Sequence, residues 1–117
     1  MLIAANWKMN LNKNSIESLV KQLQSCKFSD DVKMCIFPPT IYINFTYEII
    51  KNSPILIGGQ NCHHQSFGAF TGELSASSLK EFDCKYVILG HSERRMYNKE
   101  SNIYIKKCAE FALQSKL

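Results

Sequence analysis

Apolar and polar positions along this chain follow two rhythms. Short, mostly apolar runs recur at Leu2-Ile3-Ala4-Ala5, Val32 to Phe37, Ile55-Leu56-Ile57 and Tyr86 to Leu89. Runs of this length read as strands buried on both faces, the habit of a parallel sheet. Between them the spacing is helical. Ile16, Leu19, Val20 and Leu23 fall at i, i+3, i+4 and i+7, one face of a helix that fades at Ser25 to Lys27. Asn14 is placed to cap that helix, with Glu17 three residues on. Pro38-Pro39 stops the second strand, and Thr40 is placed to cap a helix that turns Tyr42, Phe45, Ile49 and Ile50 inward. Asn52-Ser53-Pro54 ends it. Gly58-Gly59-Gln60-Asn61 follows the third strand as a turn, and a long loop runs from Cys62 to Glu73. A short helix is expected at about Ser75 to Phe82 and one helical turn at Ser92 to Arg95. The last helix begins near Ser101, with Ile105, Cys108, Ala109 and Ala112 on one face.

The order β-α-β-α-β-α-β-α implies right-handed crossovers and an α/β fold with four parallel strands in the order 1-2-3-4. Leu117 falls just where a fifth strand would be due, so residues 1–117 are expected to form one unit that stops before it. A length of 117 residues suits one domain and is too short for two. Hydrophobic content of 45% and charged content of 21% are ordinary for a globular protein. No apolar run approaches the length that spans a bilayer, and Met1-Leu2-Ile3-Ala4-Ala5 is too short for a signal-peptide core, so a cytoplasmic protein without membrane contact is expected.

The 5 cysteines are odd in number and form no C-x-x-C pair, which fits free thiols in a reducing compartment. Cys62-His63-His64 invites a metal reading, but adjacent loop residues rarely aim at one ion and no second ligand pair lies nearby. A solvated or hydrogen-bonded loop is expected there, and no metal. The net charge of +4 comes from 14 basic and 10 acidic residues, with the lysines scattered rather than clustered. That pattern does not favour nucleic acid, and it is compatible with a small phosphorylated anion.

Chemistry-bearing residues collect just after the first and fourth apolar runs. In α/β proteins, sites lie at the carboxyl ends of strands. After Tyr86 to Leu89 and Gly90 come His91, Ser92, Glu93, Arg94 and Arg95: an imidazole, a hydroxyl, a carboxylate and two guanidinium groups. A histidine opening a helical turn is held neutral by the positive end of the helix dipole. Asn6 and Lys8 follow the first run. An ammonium suits a phosphate or a developing oxyanion, and an asparagine amide can bond a substrate oxygen. Taken by themselves, Asn6 and Lys8 also fit a solvated loop with a turn-forming asparagine.

Four stretches together carry a resemblance: Asn6-Trp7-Lys8-Met9-Asn10, Gly59-Gln60-Asn61, Gly68-Ala69-Phe70-Thr71-Gly72-Glu73 and Tyr86 to Arg95. They match triosephosphate isomerases in order, and the chain resembles that family from Met1 to about Leu117. The resemblance implies the N-terminal half of a (β/α)8 barrel, since the whole fold takes roughly 250 residues. It implies interconversion of glyceraldehyde 3-phosphate and dihydroxyacetone phosphate, a step of glycolysis and gluconeogenesis, by proton transfer through an enediolate. No cofactor is implied. His91 would be the electrophile and Lys8 the stabilising cation that also binds substrate with Asn6. Glu93 would pair with the lysine, and Ser92 and Gln60 would support the site. Arg94 and Arg95 read as salt-bridge formers, with Glu100 in reach, rather than phosphate binders. The loop around Thr71 would insert into the partner of a homodimer, with Met9, Phe70, Thr71 and Gly72 at the interface.

Three departures stand against that resemblance. Asp83 and Lys116 occupy helix ends where glycine is usual, costing up to about 1 kcal/mol each if φ is positive. The family's catalytic base, lid and phosphate loops lie beyond the stretch matched by these residues. The chain is therefore expected to be inactive alone. The other reading is a non-catalytic half-barrel that dimerises or complements a separately made second half.

Overall fold

The computed structural model describes residues 1–117. Its strands are β1 (Leu2–Asn6), β2 (Lys33–Phe37), β3 (Leu56–Gly59) and β4 (Tyr86–Val87), side by side in chain order and all parallel. The crossovers are α1 (Lys13–Ser25), α2 (Ile43–Ile50) and α3 (Ala76–Glu81), and α4 (Ser92–Tyr97) and α5 (Asn102–Gln114) follow β4. The alternation implied this parallel order, and the arrangement is the half of a (β/α)8 barrel that the resemblance implied.

Pairing sets which side chains share a face. Ala5, Ile36 and Ile57 lie in one row across the sheet, and Ala4, Cys35 and Leu56 in the next. Adjacent residues of a strand point to opposite faces. The Ile36–Ile57 face packs on Ile16 and Val20 of α1, Ile43 and Ile50 of α2, Leu79 of α3 and Ala112 of α5, which together form the core. The Ala4–Leu56 face lies outside that cluster. At its outer strands Leu2 is 46% exposed, Ala4 is exposed and Tyr86 is half-buried.

The glycines after Ile57 belong to β3 rather than to a turn. A Cβ on Gly58 would meet the Phe37 ring at 2.4 Å, and one on Gly59 would meet Leu79 at 2.6 Å. Each face is packed too closely there for a side chain.

Several local expectations shift. The α1 cap is Asn12, not Asn14. Its side chain accepts from Ser15 N at 3.0 Å and its N–H reaches Ser15 Oγ at 2.8 Å, the capping-box pairing two residues early. Both asparagines are followed three residues on by a polar side chain, so spacing alone could not choose between them. Thr40 is not a cap. It opens a 3-10 turn, Thr40–Tyr42, that runs into α2. The inward side of α2 is Ile43, Thr46 and Ile50, flanked by half-buried Tyr42, Phe45 and Ile49. Regular pairing in β4 ends at Val87 instead of Leu89, although Ile88 N still bonds Gly59 O at 2.9 Å. This strand is paired on one side only, and its apolar run is half-buried rather than buried. On α5, Cys108 and Ala112 are buried and Ile105 and Ala109 half-buried, the expected face.

The backbone at Asp83 and Lys116 is left-handed, with φ of 57° and 60°. Cys84 N bonds Leu79 O and Asp83 N bonds Lys80 O, the paired bonds that close a helix over a glycine-like residue. Leu117 and Lys116 repeat the pattern on Ala112 and Leu113. No helix is long and apolar enough to cross a membrane.

Candidate functional site

Strand ends place the first residues of the site. Asn6 is the last residue of β1, and its Oδ1 accepts the Lys8 N–H at 2.9 Å. That two-residue turn leaves the asparagine amide nitrogen without a protein partner. Lys8 itself has φ of 53°. A residue with a side chain in this region costs roughly 1–2 kcal/mol, so the surroundings must hold it there. Gln60, one residue past β3, donates from Nε2 to Lys8 O and to Phe37 O, both at 2.8 Å.

From the other edge comes His91. Gly90 turns the chain with φ of 63°, and a Cβ there would come within 2.9 Å of Ile105. His91 then caps α4, with its Nδ1 accepting from Glu93 N at 3.3 Å. A ring nitrogen that accepts carries no proton, so the neutral imidazole bears its proton on Nε2. Glu93 Oε2 also lies 3.4 Å from Nδ1. The carboxylate's shorter contact is to Lys8, Nζ to Oε1 at 2.6 Å, joining the ends of β1 and β4. That hydrogen bond holds the Glu93 carboxyl below its ordinary range. Partial burial acts against it, and the charge of Lys8 adds to it.

These groups line one cleft of about 240 Å³, with Asn6, Lys8, Gln60, His91, Glu93 and Arg94 on its walls and Gly72 to Leu74 at its rim. Ser92 is exposed and is not among the lining residues. Arg94 donates to Glu100 Oε1 at 2.7 Å, as its salt-bridge reading required. Arg95 instead bonds Gly90 O and Asn102 Oδ1. Asn61, from the Gly59-Gln60-Asn61 stretch that the resemblance sets beside the site, also lines the cleft, as do Thr40, Glu73 and Leu74, which were not read as site residues. Thr40 and Asn61 follow β2 and β3, so strand-end position was the signal available for them.

The long loop is closed at its base by His63 N to Leu74 O at 2.7 Å and a bridge between His63 and Ser75. The His63 ring lies 4.2 Å from both the His64 and Phe70 rings. Thr71 is exposed, Phe67 is 88% exposed and Phe70 42%, and Met9 is 95% exposed at the end of the Lys8 turn. Burial pushes the Cys35, Cys62 and Cys84 thiols up to about 12, so they stay protonated.

An ammonium, an imidazole donor and a free amide around one cleft suit the stabilisation of a developing oxyanion. Comparison with known proteins points the same way. Residues 1–117 match the family model described as triosephosphate isomerase. The triosephosphate isomerase of Wolbachia pipientis wMel is 45% identical over 116 residues, covering 99% of this chain and 46% of the relative. That of Zygosaccharomyces bailii is 39% identical over 111 residues, covering 95% of this chain and 45% of the relative. That of Saccharomyces cerevisiae is 37% identical over 111 residues, with the same two coverages of 95% and 45%. The chain thus spans less than half the length of these curated relatives.

Proposed function

The chain belongs to the triosephosphate isomerase family, and from that premise we propose that residues 1–117 carry the electrophilic and cationic part of an isomerase site. The substrate is a small phosphorylated triose, and the reaction moves a proton between neighbouring carbons through an enediolate. His91 donates from Nε2 to the carbonyl oxygen. Lys8 supplies positive charge to the developing oxyanion, Asn6 donates its free amide, and Glu93 holds the ammonium in place.

The observation that carries this reading is convergence. Lys8 and His91 come from the two outer strands of the sheet, yet both touch Glu93 and line one cleft. The proton-abstracting base is not Glu93, because a carboxylate held below its usual range by an ammonium is a weak base. The base is supplied from outside residues 1–117, and these residues do not turn over substrate alone. Four more strands complete the barrel over the Ala4–Leu56 face and both outer strands, either in the same chain or as a separately made half. Whole barrels then pair as homodimers through Met9, Phe70, Thr71 and Gly72. The free thiols suit a reducing cytoplasm.

The test is to assay isomerisation by residues 1–117 with and without a second half providing strands five to eight. Turnover is expected only in the mixture. His91→Ala or Lys8→Met in the mixture should lower kcat by about 10²–10³, the usual effect of losing one oxyanion donor. Efficient turnover by residues 1–117 alone, abolished by His91→Ala, would overturn the assignment of the base.

A further inference from the structure

We infer that Gln60 is the positioning residue for Lys8, acting as a strap from the end of β3 onto the lysine's own carbonyl. Both hydrogens of its amide nitrogen are used: one reaches Lys8 O and one reaches Phe37 O, each at 2.8 Å. Because both partners are carbonyl oxygens, only the nitrogen end of the amide can face them. Phe37 O also accepts from Trp7 N at 3.1 Å. One carbonyl at the end of β2 therefore anchors both the β1 turn and the strap.

The strap acts where the backbone needs holding. Lys8 is left-handed, at φ of 53°. Its N–H is held by Asn6 Oδ1 and its C=O by Gln60. Without the second hold, the peptide is free to rotate toward the regions that side-chain-bearing residues prefer. Such a rotation swings the Cα–Cβ direction, and with it the ammonium that sits 2.6 Å from Glu93. Gln60 thus sets the position of a charge on a side chain that it never touches. The inference deepens the proposed function only in the role given there to Lys8; the strap itself does not depend on turnover.

The titration of Glu93 reads the position of Lys8, because the hydrogen bond and the charge of Lys8 hold that carboxyl down, with the His91 imidazole the other titratable group beside it. Residues 1–117 carrying ¹³C-labelled glutamate, in complex with an unlabelled second half that provides strands five to eight, are titrated by NMR as wild type, Gln60→Met, Lys8→Met and the double variant. Methionine keeps the length of the glutamine side chain and cannot donate. Gln60→Met is expected to shift the Glu93 pKa upward, and the double variant to match Lys8→Met alone. A merely structural glutamine leaves Glu93 where it was, or shifts it equally with and without Lys8, and either result overturns the strap. No shift on Lys8→Met would overturn the ion pair too, and with it the site reading above. Should Gln60→Met fail to fold, the unmodified protein decides. Slow exchange of the Gln60 amide protons and a left-handed coupling constant at Lys8 support the strap, and a freely exchanging amide overturns it.

Discussion

Asn6 closes a backbone turn with one end of its amide and leaves the other end free. Its Oδ1 accepts the Lys8 N–H, and its nitrogen has no protein partner. The turn-forming reading is realised, and the free nitrogen is the end that the proposed function gives to the substrate. Glu93 is the residue where a pH dependence belongs. Its folded pKa is depressed, so its pairing stabilises the fold above the unfolded carboxylate value and is lost as pH falls through the folded one. Both partners are nearly half exposed, so the contribution is small. Glu93→Gln is expected to leave stability near neutral pH almost unchanged and to flatten the acid limb of a plot of Tm against pH. An unaltered acid limb would show that the pair does not form. Thr46 offers an opposite case. Its Oγ1 is buried on α2 with no hydrogen-bond partner. Thr46→Val keeps the shape and removes the orphaned hydroxyl, so urea unfolding should show a gain of about 1 kcal/mol.

Helix ends govern the next scale. The C-terminus of α3 carries the full pair of closing bonds, yet an aspartate at φ of 57° stands where glycine is free of strain. Asp83→Gly is expected to raise stability by up to about 1 kcal/mol in chemical denaturation. The exposed pair between Asp83 and Lys85 that it removes contributes little against this. A loss of stability would mean that the aspartate side chain serves the turn. At the other end of the crossovers, α4 owes its start to Gly90 and to the His91 cap. The strand, the turn and the cap together deliver the imidazole to the cleft. The long loop closes on itself through His63 and Leu74, and Phe70 packs on His63, so the loop keeps a shape of its own while Phe67 and Thr71 stay exposed.

For the whole molecule, the decisive feature is a sheet that is paired on its inner strands and open on its outer ones. β1 and β4 each have one neighbour. Unpaired outer strands invite edge-to-edge association, and closing a barrel of eight strands removes both. Residues 1–117 alone are accordingly expected to aggregate, or to become stable only when a second half is present. The exposed apolar side chains on the loop and at Met9 are the surface that the proposed pairing of complete barrels would cover. Deleting residues 68–72 from a complete protein is expected to yield monomers by sizing with the fold retained by circular dichroism. Unchanged dimers would count against that interface.

The order of elements, the parallel sheet, the inner face of α1 and the placing of His91 after a strand end were all legible in the sequence, because each depends on neighbours within a few residues. Local spacing could not choose Asn12 over Asn14 as the cap, since both satisfy the same short-range rule. It placed Gly58 and Gly59 in a turn, because what excludes a side chain there is Phe37 and Leu79, from other elements. The site was half legible. Its residue types stood out by position, but their partnership did not. Lys8 and Glu93 are 85 residues apart in the chain, and Gln60 and Lys8 are 52 apart. Only the packing of four parallel strands brings those atoms within hydrogen-bonding distance. The left-handed turn at Lys8 was likewise a decision of the tertiary structure, because an intrinsically unfavourable backbone persists only where distant partners hold it.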